Sequence, residues 1–254
     1  MRNFIKYCVY RLCYGLYAAL GPFVRSHEVS ILCYHSISDA KLDTAVTPDE
    51  FARQLDDLRT RGHEFVSLAE VLAWMGGGRT LPRKAVALTF DDGYADFETN
   101  ALQLLEHFNA PATVFVIEDE QAARQYVGNV LPLLSHESLI RLAQHPLVTF
   151  GNHSATHANL AKLPTEALAR EVMRPKGIRY FAYPGGNHSP EAARAIEDAG
   201  YEAAFSIRPG LVHKDSDHFL MPRNVILSGM PLWQVRVRTT KAIDWYRKLV
   251  RSIK

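Results

Sequence analysis

Two aspartates stand side by side, Asp91 and Asp92, where the apolar run "KAVALTF" gives way to Gly93. Inside a strand, neighbouring side chains face opposite sides and could not serve one site; at a strand end, with a glycine free to turn the backbone, both carboxylates can approach a common point. A divalent cation makes their closeness tolerable, because one carboxylate can bind it while the other stays ionised, ready to take a proton from water that the cation acidifies. Further along, "HSATH" sets His153 and His157 four apart, a spacing that puts both imidazoles on one face if a helical turn begins there. Two imidazoles and a carboxylate leave coordination positions open for water, as in hydrolytic zinc sites, and the same donor set accepts cobalt, nickel or iron. Each motif alone is a weak signal; both follow strands, which strengthens the pair.

The elements that must position these residues alternate. "VSILCYH" (29–35), "KAVALTF" (84–90), "ATVFVI" (112–117), "LVTFG" (147–151), "IRYFAYP" (178–184) and "YEAAFSI" (201–207) read as strands, with a last extended piece at "MPRNVIL" (221–227). Helices are expected over 47–62, 94–108, 136–145, 165–173 and 189–200, the first opened by Thr47 with Glu50 three residues on, a capping-box pattern. Branched and aromatic strands separated by amphipathic helices imply parallel β/α units, in a barrel or an open doubly wound sheet. The polar residues of interest, His35, Asp91, Asp92, His153 and His157, all follow strands, as does the "PGG" at Pro184, and in (β/α) barrels the carboxyl ends of the strands converge on one mouth.

A chain of 254 residues with 47% hydrophobic content can fill one barrel or two small domains, and no linker or low-complexity tract favours two. A formal charge of +2 gives no sign of a nucleic-acid partner. Three cysteines, Cys8, Cys13 and Cys33, supply neither a disulfide framework nor a thiolate zinc site. Charge concentrates at the ends. Arg2, Lys6 and Arg11 accompany the uncharged run "LCYGLYAALGPFV" (12–24), which falls short of the roughly 20 residues needed to span a bilayer. That segment, 1–28, reads as an interfacial helix, an atypical export signal or short anchor, or a plain soluble helix. At the other end, 231–254 reads as a basic amphipathic helix that packs on the domain or contacts anionic lipid. Localisation follows either as peripheral to a bacterial-type inner membrane or as exported.

The motifs "TFDDG", "HSATH" and "FAYPGG" resemble those of the polysaccharide deacetylases, carbohydrate esterase family four, whose shared unit is the NodB-homology domain; the resemblance covers about residues 29–230. It implies a distorted (β/α) barrel and metal-dependent hydrolysis of the N-acetyl group of an amino-sugar glycan. By the same resemblance Asp92, His153 and His157 hold one divalent metal, zinc first; Asp91 is the general base; Ser154 braces the histidine loop; and the Gly185 amide stabilises the oxyanion. Tyr183 and Pro184 would touch the sugar. Two departures matter. Ala182 stands where many members carry an arginine that orients the base, and Arg223 in "LMPRNVI" is the candidate replacement. The usual late Leu-x-x-His is absent after "FSIRPG", while "LCYH" (32–35) has that form early, as in the deacetylases of biofilm poly-N-acetylglucosamine, making His35 the general acid. Alternative readings are a deacylase or deformylase of a lipid-linked amino sugar at a membrane face, and a glycan-binding protein without turnover.

Other polar residues read as structural. Ser189 caps the following helix with His188 beside it, His213 and His218 sit solvated in a polar loop, and the "NHS" triplet at Asn152 is a chance glycosylation pattern, since a glycan there would plug the site.

Overall fold

The protein is described here by a computed structural model covering residues 9–17, 27–126 and 131–251. One sheet of eight strands forms the centre. Its members are β1 (Val29–Tyr34), β4 (Glu64–Phe65), β5 (Ala85–Phe90), β6 (Ala112–Val116), β7 (Val148–Asn152), β8 (Tyr180–Ala182), β9 (Ala203–Phe205) and β10 (Asn224–Val225). A separate pair, β2 (Ser36–Ile37) and β3 (Ala45–Val46), follows β1. The order is β10-β1-β5-β6-β7-β8-β9, with β4 beside the start of β5, and every pairing is parallel. Met221 bridges Phe205 of β9, and Asn224 of the same segment pairs with Leu32 of β1, so one short segment touches both edges and closes the sheet into a distorted barrel.

Strand alternation sorts the core into two faces. Leu32, Tyr34, Val86, Leu88 and Phe90 pack outward with Phe51, Leu55 and Leu58 of helix α2 (Pro48–Thr60). Ile31, Ala87, Phe115, Tyr180 and Phe205 fill the interior together with Val71 and Trp74 of α3 (Leu68–Met75), which plugs the floor. The remaining helices are α1 (residues 9–17), α4 (Leu102–His107), α5 (Glu120–Tyr126), α6 (His136–Leu142), α7 (Thr165–Glu171), α8 (Pro190–Asp198), α9 (Leu232–Arg238) and α10 (Ala242–Arg251). Thr47 and Glu50 form the expected reciprocal cap on α2, and Ser67 with Glu70 repeats it on α3. Such a cap contributes about 1 kcal/mol.

Several expectations change. The segment with β4 and α3 was not apparent in the sequence, and the helix expected from Tyr94 begins as a wide turn over Phe97–Ala101. The single helix expected over 231–254 is two, because the Thr239 and Thr240 hydroxyls bond back to the Arg236 and Val237 carbonyls and end α9. The apolar face of α1, Tyr10 and Cys13, packs on Val237, Ala242 and Ile243, so the described part of the N-terminal segment lies against the domain. Residues 1–8, 18–26 and 252–254 of the two terminal segments lie outside the described residues. Among the described helices none is long and apolar enough to cross a membrane. His213 is not solvated: it sits half-buried, 3.3 Å from Asp244 and 3.6 Å from Glu28.

Gly151 of β7 marks the tightest packing of the barrel interior, because a Cβ there would overlap the buried Phe115 ring and meet the Tyr180 carbonyl. Gly151→Ala is expected to destabilise the fold by about 1–3 kcal/mol, read as a lower urea midpoint at unchanged m-value.

Candidate active site

The chemistry-bearing residues gather at the carboxyl ends of β1, β5, β7 and β8. Asp91 immediately follows β5, and its amide donates to the Tyr34 carbonyl of β1, which holds the strand end in register. Its carboxylate faces inward and meets Arg223, which is 0% exposed in the barrel centre. Arg223 Nη1 reaches Asp91 Oδ1 at 2.6 Å and Nη2 reaches Oδ2 at 2.8 Å, a bidentate pair. The guanidinium is itself fixed: Nε donates to the Ser206 carbonyl at 3.2 Å, Nη1 to Thr89 Oγ1 at 3.3 Å, and its plane lies over Phe115 with 5.2 Å to the ring centroid. Cys33 adds a thiol donor 3.4 Å from Asp91 Oδ2. Burial alone would raise the Asp91 pKa, but Arg223 and His153 outweigh it and hold the group well below the usual carboxylate range. Asp91 is therefore ionised and immobile.

Asp92 faces a different environment although it is the next residue. Its φ of 72° is left-handed, so the turn begins on the aspartate itself, before Gly93 at φ 74°. Aspartate tolerates that region better than most residues. The reversal carries the second carboxylate away from Arg223 to His153 and His157, whose Nε2 atoms lie 3.5 and 3.6 Å from Asp92 Oδ1. That oxygen is buried and has no hydrogen-bond partner. Burial, then the neighbouring Asp91 charge, push the Asp92 pKa up to about 7. An isolated buried anion of this kind is costly, and here its companions are two imidazoles held neutral: burial brings His153 down to about 4, and burial together with His153 brings His157 down to about 3.

The histidine loop is not the helical turn that the four-residue spacing suggested. Ser154 at φ 66° and His157 at φ 59° reverse the chain twice, and Ser154 Oγ accepts the His157 amide at 2.9 Å, which is the bracing role expected of it. His153 Nδ1 donates to the Ala182 carbonyl of β8 at 2.9 Å, so Nε2 is the nitrogen with a free lone pair, and it points at Asp92. Asp92, His153 and His157 each present a ligand atom, all within 4.8 Å of one another. A neutral nitrogen pair around an orphaned carboxylate oxygen is a donor set that fits a divalent cation.

His35 immediately follows β1, and one atom each from Cys33, His35 and Asp91 lie within 4.8 Å of one another. The loop carrying it is pinned by Asp96, which accepts the Ser36 hydroxyl at 2.7 Å and the Ile37 amide at 2.8 Å. His35 is partly exposed, its Nδ1 is buried without a partner among the described residues, and burial lowers its pKa.

A sequence model described as polysaccharide deacetylase matches residues 78–204, half of the chain. The chain belongs to the polysaccharide deacetylase family. The poly-beta-1,6-N-acetyl-D-glucosamine N-deacetylase of Staphylococcus epidermidis is 26% identical over 199 residues, covering 72% of this chain and 68% of that protein. The enzyme of the same name from Escherichia coli K12 is 25% identical over 232 residues, but the match spans only 34% of its length. In structure, IcaB from Ammonifex degensii superposes with a TM-score of 0.71 at 24% identity, covering 88% of this chain and 98% of that one, a likeness of fold.

Within this deacetylase fold, two expected sugar contacts are corrected. Tyr183 is 0% exposed, with its hydroxyl donating to the Phe219 carbonyl at 2.8 Å, and Pro184 is buried beside it. Tyr183 is a packing residue, completing the cluster with Phe181 and Tyr201 at the end of β8. Gly185, next in the chain, is exposed at φ 57° and keeps its backbone near the mouth. His188 and Ser189 are structural as expected, Ser189 accepting the Ala192 amide at 3.1 Å. Asn152 is 2% exposed, so its glycosylation triplet is a chance pattern. Two tyrosines went unnoticed in the sequence. Tyr94 bonds to Asp92 and offsets part of its raised pKa, and Tyr126 stacks on His157 with centroids 3.5 Å apart. Tyr94 directly follows "DDG" and could have been suspected; Tyr126 comes from a helix that the sequence did not reveal.

Removing Arg223 while Asp91 remains leaves a buried, unpaired charge. Arg223→Met is expected to cost about 3–5 kcal/mol in chemical denaturation, and adding Asp91→Asn should recover much of that loss. Zinc analysis after dialysis should find one ion per chain in the native protein and in His35→Ala, and none in Asp92→Asn or His153→Ala.

Proposed function

We propose that the protein hydrolyses the N-acetyl group of an N-acetylated amino-sugar glycan, releasing acetate and a free amine. One observation carries this reading: Asp92 Oδ1 is buried and unpartnered between two neutral imidazole nitrogens, while the adjacent Asp91 is locked to Arg223. The residues thus divide into a cation-holding set, Asp92, His153 and His157, and a proton-handling set, Asp91 and His35. A bound divalent cation, zinc before cobalt, nickel or iron, would supply Lewis acidity that polarises the acetyl carbonyl and lowers the pKa of water.

The remaining roles belong to the chain. Asp91, its pKa held low, accepts a proton only from a donor that has itself been made acidic, and Arg223 keeps both carboxylate oxygens from swinging toward the cation site. The Gly185 amide is assigned to the carbonyl oxygen as charge develops there. His35, beside Asp91, gives a proton to the departing sugar nitrogen. A cavity of about 160 Å³ beside Asp92 has one wall of Val116, Ile117, Leu133, Leu134 and Leu139, which suits the acetyl methyl, and a polar side formed by Glu118, Glu120 and His136. Relatives named as poly-beta-1,6-N-acetyl-D-glucosamine N-deacetylases make β-1,6-linked N-acetylglucosamine oligomers the first substrate to test.

Acetate release from such oligomers should stop on dialysis with a chelator and return with zinc or cobalt. His35→Ala should lower kcat by about 10²–10⁴-fold with metal content unchanged. Turnover of a prenyl-linked N-acetylglucosamine with none of the oligomers would instead favour the lipid-linked reading, and sugar binding without acetate release from either would favour a binding protein.

A further inference from the structure

At the amino-terminal end of the barrel, opposite the deacetylase mouth, lies a cavity of about 450 Å³. It is bounded by Glu28 at the start of β1, Ala85 at the start of β5, Tyr14 and Tyr17 of α1, Leu211, and the α9–α10 junction. Cations dominate its lining: Arg61, Arg83, Lys84, Arg236 and Lys241. Two carboxylates answer them. Asp57 bonds Arg236 at 2.5 Å and Arg61 at 3.2 Å, and Glu28 bonds Lys241 at 2.9 Å. Arg83 and Lys84 meet no carboxylate among the described residues, and the Lys84 ammonium instead donates to the Arg61 carbonyl at 2.7 Å. Positive charge therefore exceeds negative in a concave, partly apolar space, where field lines are focused and an anion is drawn in. The size suits a small organic ligand. The Arg83 fork, which no carboxylate among the described residues occupies, favours an oxyanion with several acceptor oxygens.

We propose that this cavity binds a phosphate ester, with Arg83 and Lys84 as the principal contacts. Two sources share that chemistry, a soluble phosphorylated sugar or polyol and the headgroup of an anionic lipid; the fold places either about a barrel's length from the metal ligands. The site is therefore independent of the deacetylase reading, and each can fail alone.

The full chain is titrated calorimetrically with glycerol 3-phosphate, and its flotation is followed with vesicles of phosphatidylcholine alone or mixed with phosphatidylglycerol. Binding of glycerol 3-phosphate assigns the soluble ester, and flotation only with phosphatidylglycerol assigns the headgroup; either supports the site. Arg83→Ala and Lys84→Ala should each weaken that binding about fivefold, and together about twentyfold or more. Both side chains are exposed, so the variants should fold, which thermal unfolding checks. The control Arg53→Ala with Arg170→Ala removes two exposed charges elsewhere and should leave binding within twofold of native. The proposal is overturned if neither probe binds, if the Arg83→Ala/Lys84→Ala protein binds like the native chain, or if the control loses as much.

Discussion

Adjacent carboxylates at the mouth of a closed barrel must be kept apart electrically, and the rest of the site is arranged around that demand. Both groups are almost completely buried, and two uncompensated anions there would be prohibitive. The barrel supplies two different answers. Arg223, rooted on the segment that closes the sheet, neutralises Asp91 from inside. A backbone reversal at Asp92 sends the other carboxylate to two neutral imidazole nitrogens and the Tyr94 hydroxyl. Opposite pKa displacements follow, with Asp91 pushed down and Asp92 up to about 7. Groups whose environments drive their pKa values apart are well suited to separate roles.

Backbone strain concentrates at the same place. Asp92, Ser154 and His157 are three of the four non-glycine residues with positive φ among the described residues, and two of them are proposed ligands. Each such conformation costs of order 1 kcal/mol and persists where surrounding contacts over-determine it. Here the contacts are identifiable: the Ser154 hydroxyl on the His157 amide, the Ala182 carbonyl on His153, and the register of β5 against β1. Fold and site are coupled through these bonds, since β8 fixes a histidine tautomer and the Met221–Val225 segment that ends in β10 delivers the arginine.

Much of this was legible in the sequence because it follows from local rules. Alternation of branched strands with amphipathic helices gave the parallel β/α plan, Thr47 with Glu50 gave a cap, and residues following strands gave Asp91, Asp92, His153, His157 and His35 as neighbours. Arg223 was nominated only because its usual counterpart is missing, and the bidentate pair explains why a donor from another strand serves. What stayed hidden depends on non-local packing. Spacing could not reveal that "HSATH" turns through left-handed residues, and it could not show that Tyr183 joins a core completed by residues from 160 to 204 or that Pro184 is buried next to it. Nor could composition tell that His213 sits between two acids from opposite ends of the chain, or that α1 covers α9 and α10.

The central claim is that a cation resides among Asp92, His153 and His157 and not among the nearby Cys33, His35 and Asp91. X-ray absorption at the zinc edge of the loaded protein tests it most directly. The account predicts a first shell of nitrogen and oxygen at about 2.0–2.2 Å with the multiple-scattering signature of two imidazoles. A sulfur scatterer at about 2.3 Å, or a shell with a single imidazole, would contradict it.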